Sequence, residues 1–182
     1  MRLLFGMTIA SALLFDGVAM AQSTAETLKT FGLIGAWSPD CSQNPKDALP
    51  KKPPSQYPVR WIYSNQDSSA AKLTRMIHGL GALVTDTYEI KAAEAIGGNK
   101  IRYSQVPAAV QFTTRAGAQA PQPAKEKPSE VIVEKSGDRI RMVGQVRSDG
   151  TVVVKNGVSI VHRPGDWDEV KVSSPWFERC TD

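Results

Sequence analysis

The sequence predicts an all-β fold, an antiparallel up-and-down β-barrel of about eight or nine strands preceded by a short helix. Three observations predict it. Short β-branched and aromatic runs follow one another, with turn residues between them and no βαβ spacing. Asp149-Gly150 and Asn156-Gly157 separate neighbouring runs, and both dipeptides suit the positive φ of a tight hairpin. Cys41 and Cys180 stand near opposite ends of the chain, and their pairing would bring those ends together, as the first and last strands of a closed barrel are.

Residues 1–21 are expected to be a cleaved export signal: Arg2, then an apolar run from Leu3 to Phe15, then Ala19-Met20-Ala21 as the cleavage site. The run is 13 residues, short of the roughly 17 that a membrane span needs. Residues 22–182 are then one domain, periplasmic or secreted, with no membrane span once the signal is gone. In an oxidising compartment Cys41 and Cys180 pair most simply with each other, since neither a C-x-x-C nor nearby histidine ligands are present. Closing so long a loop is worth about 5 kcal/mol as an upper figure.

The whole chain carries 22 Lys+Arg against 18 Asp+Glu, a net charge of +4. The signs are interleaved, as in Glu134-Lys135 and Asp138-Arg139, so no nucleic-acid partner is expected.

Ser23 caps a helix over 24–33, with Glu26 placed to complete a capping box. Gly35-Ala36-Trp37 opens the first strand. Five prolines in 42–58 make that stretch a loop. Strands follow at Val59 to Ser64 and Ala71 to Ile77. From Leu83 to about 95 the reading is strand, because Tyr88, Ile90 and Ala92 alternate with Glu89 and Lys91. Gly97-Gly98-Asn99 turns into Lys100 to Val106, and Val110 to Arg115 is a further strand. Residues 116–129, poor in bulky apolar side chains and rich in proline, are expected to be a flexible loop. Glu130 to Lys135, Arg139 to Arg147, Thr151 to Lys155 and Val158 to His162 complete the strand series. Pro164-Gly165-Asp166 then turns the chain toward a last segment ending at Cys180.

Gly35-Ala36-Trp37, preceded by a short helical turn, resembles the G-x-W that opens the first strand of the lipocalin-type (calycin) barrels. The resemblance implies that Trp37 plugs one end of the barrel against an arginine from a late strand, for which Arg163 and Arg179 are both available. The segments Phe31 to Ser42 and Trp176 to Cys180 also resemble those of a group of small secreted bacterial proteins, which brings no activity with it.

Chemistry is sparse. His78 and His162 are the only histidines, and no metal-ligand spacing, P-loop, dinucleotide fingerprint or nucleophile elbow is present. Asp166, Asp168 and Glu169 around Trp167 lack the donor set of a calcium loop and read as a solvated acidic turn. No cofactor and no catalysis are expected. Large aromatics fill barrel cores or line their mouths, so Trp61, Tyr63, Tyr88, Tyr103 and Trp167 are the candidate ligand-binding residues. The expected function is noncatalytic binding of a small apolar or amphipathic molecule in the cavity. The alternative is an interaction or inhibitor protein that meets an envelope protein through its loops, 42–58 and 116–129.

Overall fold

The computed structural model describes residues 22–47, 58–67, 70–79, 82–114, 116–162 and 169–181. One helix, α1 (Thr24–Phe31), precedes thirteen strands. Eight of these close an antiparallel barrel: β1 (Gly35–Ser38), β2 (Val59–Asn65), β3 (Ala71–Gly79), β4 (Ala82–Ala95), β5 (Lys100–Thr114), β8 (Ser129–Ser136), β9 (Arg139–Arg147) and β13 (Phe177–Cys180), with β13 returning to pair with β1. Cys41 and Cys180 form the expected disulfide across this closure, with Cα atoms 5.4 Å apart and Ala36 opposite Cys180 in the ladder. Among the described residues no helix is long and apolar enough to cross a membrane.

Ser23 Oγ accepts the Glu26 N–H at 3.2 Å and starts α1. Gly32, at φ 79°, ends it two residues earlier than the stripe suggests, with its N–H on Lys29 O. The helix covers one end of the barrel. Leu28 and Leu33 there are fully buried and pack with Trp37, Ile101, Val133 and Ile140.

Three parts of the sequence reading change in detail. The two strands expected at 100–106 and 110–115 are one strand, β5. Pro107 interrupts the alternation but not the strand, because a one-residue bulge beside it, between Thr87 and Tyr88 in the ladder to β4, restores the register. The segment 116–129 carries two short strands, β6 (Gly117–Ala118) and β7 (Gln122–Pro123), which pair back along the upper half of β5. And the meander leaves the barrel after β9: β10 (Val152–Lys155), β11 (Val158–His162) and β12 (Glu169–Ser173) form a side ladder, before β13 re-enters. β12 is hidden in sequence because its run of Glu169, Val170 and Lys171 follows closely on Pro164-Gly165-Asp166 and gives only a short alternation. Of the two turn dipeptides, Asn156-Gly157 has both residues at positive φ (52° and 73°), whereas at Asp149-Gly150 the glycine alone does.

Candidate site at the end of the barrel away from the helix

The inner face of the barrel follows from the registers. Tyr63, Leu73 and Tyr88 share one level; Trp61, Arg75, Asp86 and Val110 the next; Val59, Ile77, Val84 and Phe112 the outermost. Each level alternates correctly with the outward residues between. Four of the predicted ligand-binding residues, Trp61, Tyr63, Tyr88 and Tyr103, are therefore brought together inside the barrel, and all are buried. Trp167 lies outside the described residues, as do Arg163, Asp166 and Asp168.

At the helix-covered end, Arg179 answers the arginine expected over Trp37. Its guanidinium lies 4.6 Å from the Trp37 ring centre and donates to Ile34 O at 2.9 Å and to Gly32 O. Trp37 Nε1–H in turn donates to Leu33 O at 2.7 Å. Midway, the Tyr63 and Tyr103 hydroxyls meet at 2.9 Å with their rings edge to face. Burial raises both phenols, Tyr103 to about 12; the positive charge of Arg75 acts on both in the opposite sense. Trp61 stacks on Phe177 with ring centres 4.2 Å apart.

Beyond the tyrosine pair the interior turns polar. Arg75 lies over the Tyr88 ring at 4.4 Å and pairs with Asp86 at 3.1 Å. Arg75 Nη2 also contacts the Tyr88 hydroxyl, which donates to Glu126 Oε2 at 2.7 Å. Glu126 comes from the chain between β7 and β8 and stands 3.6 Å from Arg75. Burial pushes the Asp86 carboxyl above the usual carboxylate range; Arg75 opposes that shift and Glu126 adds to it. Arg75 Nε is buried and has no hydrogen-bond partner among the described residues. A second polar group lies next along β5. The Gln105 and Gln145 amides both donate to Ser129 Oγ, at 3.2 and 3.3 Å, while Gln105 Oε1 has no partner among the described residues although Gln105 is 1% exposed.

Solvent reaches the charged level: the Arg75 and Asp86 side chains keep 16% and 19% of their exposure. The outermost level is apolar and half-buried, with Phe112 exposed. A charged level on the inner face with Val59, Ile77, Val84 and Phe112 on the level beyond it suits a molecule with one polar end and an apolar body. A groove of about 470 Å³ lies over β5 and the paired ends of β8 and β9, with Gln105, Ser129, Val106, Pro128 and Val146 in its lining. Among the described residues no three His, Cys, Asp or Glu side chains cluster as metal ligands. His78 is buried on β3, and burial lowers its pKa.

The sequence reading selected the aromatics and passed over Arg75, Asp86, Gln105, Glu126 and Gln145. A signal for two of them was present. Arg75 falls in phase with Leu73 and Ile77, and Asp86 with Val84 and Tyr88, so each puts a charge on an otherwise apolar face. Glu126 had no such signal, because it lies in a stretch without periodicity. Compared with known proteins, the chain matches no family model, no curated protein and no solved structure.

Proposed function

We propose that the protein is an exported, noncatalytic carrier of the lipocalin-like type, which holds a small amphipathic molecule inside the barrel at the end away from α1. The observation that carries this reading is a charged pair, Arg75 and Asp86, on the inner face of the barrel and open in part to solvent. Burying charge costs several kcal/mol per ion unless it is well paired, and a barrel filled only for stability has no need of it. The apolar level above the pair supports a ligand with an apolar body. The Arg179–Trp37 stack at the opposite end, joined to a helix cap through Gly32 O, supports the lipocalin-like assignment. The disulfide supports export.

A second reading, contact with an envelope protein, draws on the side ladder. β12 pairs with β11 alone among the described strands, and its Val172 is 51% exposed, as a strand edge open to a partner would be.

Native mass spectrometry of the protein isolated from its own source separates the two. The carrier reading expects a small molecule retained on the folded chain and released on unfolding. The bare chain mass alone, or a protein partner in its place, counts against it.

A further inference from the structure

We propose that Arg75 and Tyr88 recognise an anionic head group, a carboxylate or its equivalent, and that Glu126 occupies the position of that group until a ligand displaces it. The inference rests on the carrier reading and adds the ligand class and a latch.

Two donors converge on one oxygen. The Tyr88 hydroxyl donates to Glu126 Oε2 at 2.7 Å, and Arg75 Nη2 stands 3.6 Å from the same atom. A carboxylate is held there by one charge-assisted hydrogen bond and one ion pair from groups fixed on a rigid scaffold. Arg75 and Tyr88 are fixed, side by side on β3 and β4, the guanidinium over the ring. A further donor, Arg75 Nε, is buried beside them and has no partner among the described residues.

Glu126 differs from its partners in being held from outside the barrel wall. Before it, Gln122 and Pro123 pair with Val110 and Ala109 on β5. After it, Lys127 pairs with Asp149 at 2.8 Å and Pro128 O accepts the Ser148 N–H. Residues 124–126 lie between those anchors and span from the edge of β5 toward the start of β8, with Glu126 next to Lys127. Its side chain keeps 47% of its exposure, against 16% for Arg75. Withdrawal therefore returns the Glu126 carboxylate to water at small cost, while Arg75 and Tyr88 stay behind and need an acceptor. A ligand carboxylate restores what they lose. Exchange of one carboxylate for another also leaves the local charge unchanged, with Asp86 still paired to Arg75 at 3.1 Å.

The opposite preference is the natural rival. Asp86 and Glu126 together outnumber Arg75, so a cationic head group would pair with the surplus carboxylate and keep Glu126 in place. The two cases predict opposite effects of removing Glu126.

The test is calorimetric titration of the intact protein with dodecanoate and dodecylammonium below their critical micelle concentrations and dodecanol below its solubility limit. Dodecanoate is expected to bind at least roughly tenfold more tightly than dodecanol, the worth of one charge-assisted hydrogen bond. Glu126→Ala should tighten dodecanoate by about tenfold and change dodecanol far less. Tyr88→Phe, which keeps the ring under Arg75, should weaken dodecanoate by roughly threefold to tenfold with an unchanged circular dichroism spectrum. Tightest binding of dodecylammonium, or weaker dodecanoate binding by Glu126→Ala, overturns the latch. Equal affinity for dodecanoate and dodecanol overturns the anion preference and leaves the carrier reading standing. Failure of all three to bind overturns the carrier reading itself.

Discussion

The guanidinium of Arg179, on the last strand of the barrel, lies 4.6 Å above the ring of Trp37 on the first and donates to the carbonyls of Gly32 and Ile34. One side chain thus joins three things: the closing strand pair, the end of the helix and the aromatic that fills that end of the barrel. Arg179→Ala removes a cation–π contact and two hydrogen bonds, and is expected to destabilise by about 1–3 kcal/mol. A lower urea midpoint with an unchanged m-value would show it.

Gly35 is tied to the same arginine. Its φ is 135°, and a Cβ there would stand 2.9 Å from Arg179 Nη1. Gly35→Ala should cost about 1–3 kcal/mol through backbone strain alone, and more through the displaced arginine. In an Arg179→Ala background the second part vanishes, so the two substitutions should combine to less than their sum. Strict additivity in a double-mutant cycle would contradict the contact.

The Cys41–Cys180 bond closes nearly the whole described chain, with a sequence separation of 139. Replacing both cysteines by serine is expected to cost about 3–5 kcal/mol, read from the urea midpoint of the double variant against the oxidised protein. An unchanged midpoint would mean that the β1–β13 pairing alone holds the ends together.

The buried phenol pair makes the fold sensitive to alkali. An exposed tyrosine in the unfolded chain loses its proton near pH 10, whereas Tyr103 in the folded protein keeps its own to about 12, and Tyr63 is raised as well. Above pH 10 the unfolded state therefore binds fewer protons than the folded one. Their contribution is intact below pH 10 and falls as pH rises toward 12, by up to about 1.4 kcal/mol per pH unit for each tyrosine. Urea midpoints between pH 9 and 12 check the direction. Tyr63→Phe leaves the Tyr103 hydroxyl buried without a partner at a cost of about 1–3 kcal/mol, and the double phenylalanine variant should recover part of it and flatten the pH dependence.

What the sequence made legible was the part of the fold governed by local rules. Strand alternation put Tyr88 in phase with Ile90 and Ala92, the Asn156-Gly157 turn follows from residue type, and two cysteines far apart in the chain implied closure. The side ladder was not legible, because β9 shares one edge between β10 at Gly144 to Val146 and β13 at Arg139 and Ile140, and the second of these pairings is long-range. The choice between Arg163 and Arg179 over Trp37 was open for the same reason. The site was half legible. The aromatics were selected by type, and Arg75 and Asp86 by phase were within reach. Glu126 was not, since its place depends on where β7 and the Lys127–Asp149 pair anchor a segment with no periodicity of its own.

The central claim is that a small amphipathic molecule sits inside the barrel at the charged level. Backbone amide chemical shifts of the labelled protein, followed during titration with dodecanol, test it most directly. Dodecanol carries no charge, so the outcome does not depend on the latch. The account predicts shifts concentrated at Trp61, Arg75, Val84, Asp86 and Phe112, with Leu28 and Leu33 at the opposite end unmoved. Shifts confined to Val106 and Val146 in the groove over β5, β8 and β9, or none at all, would contradict it.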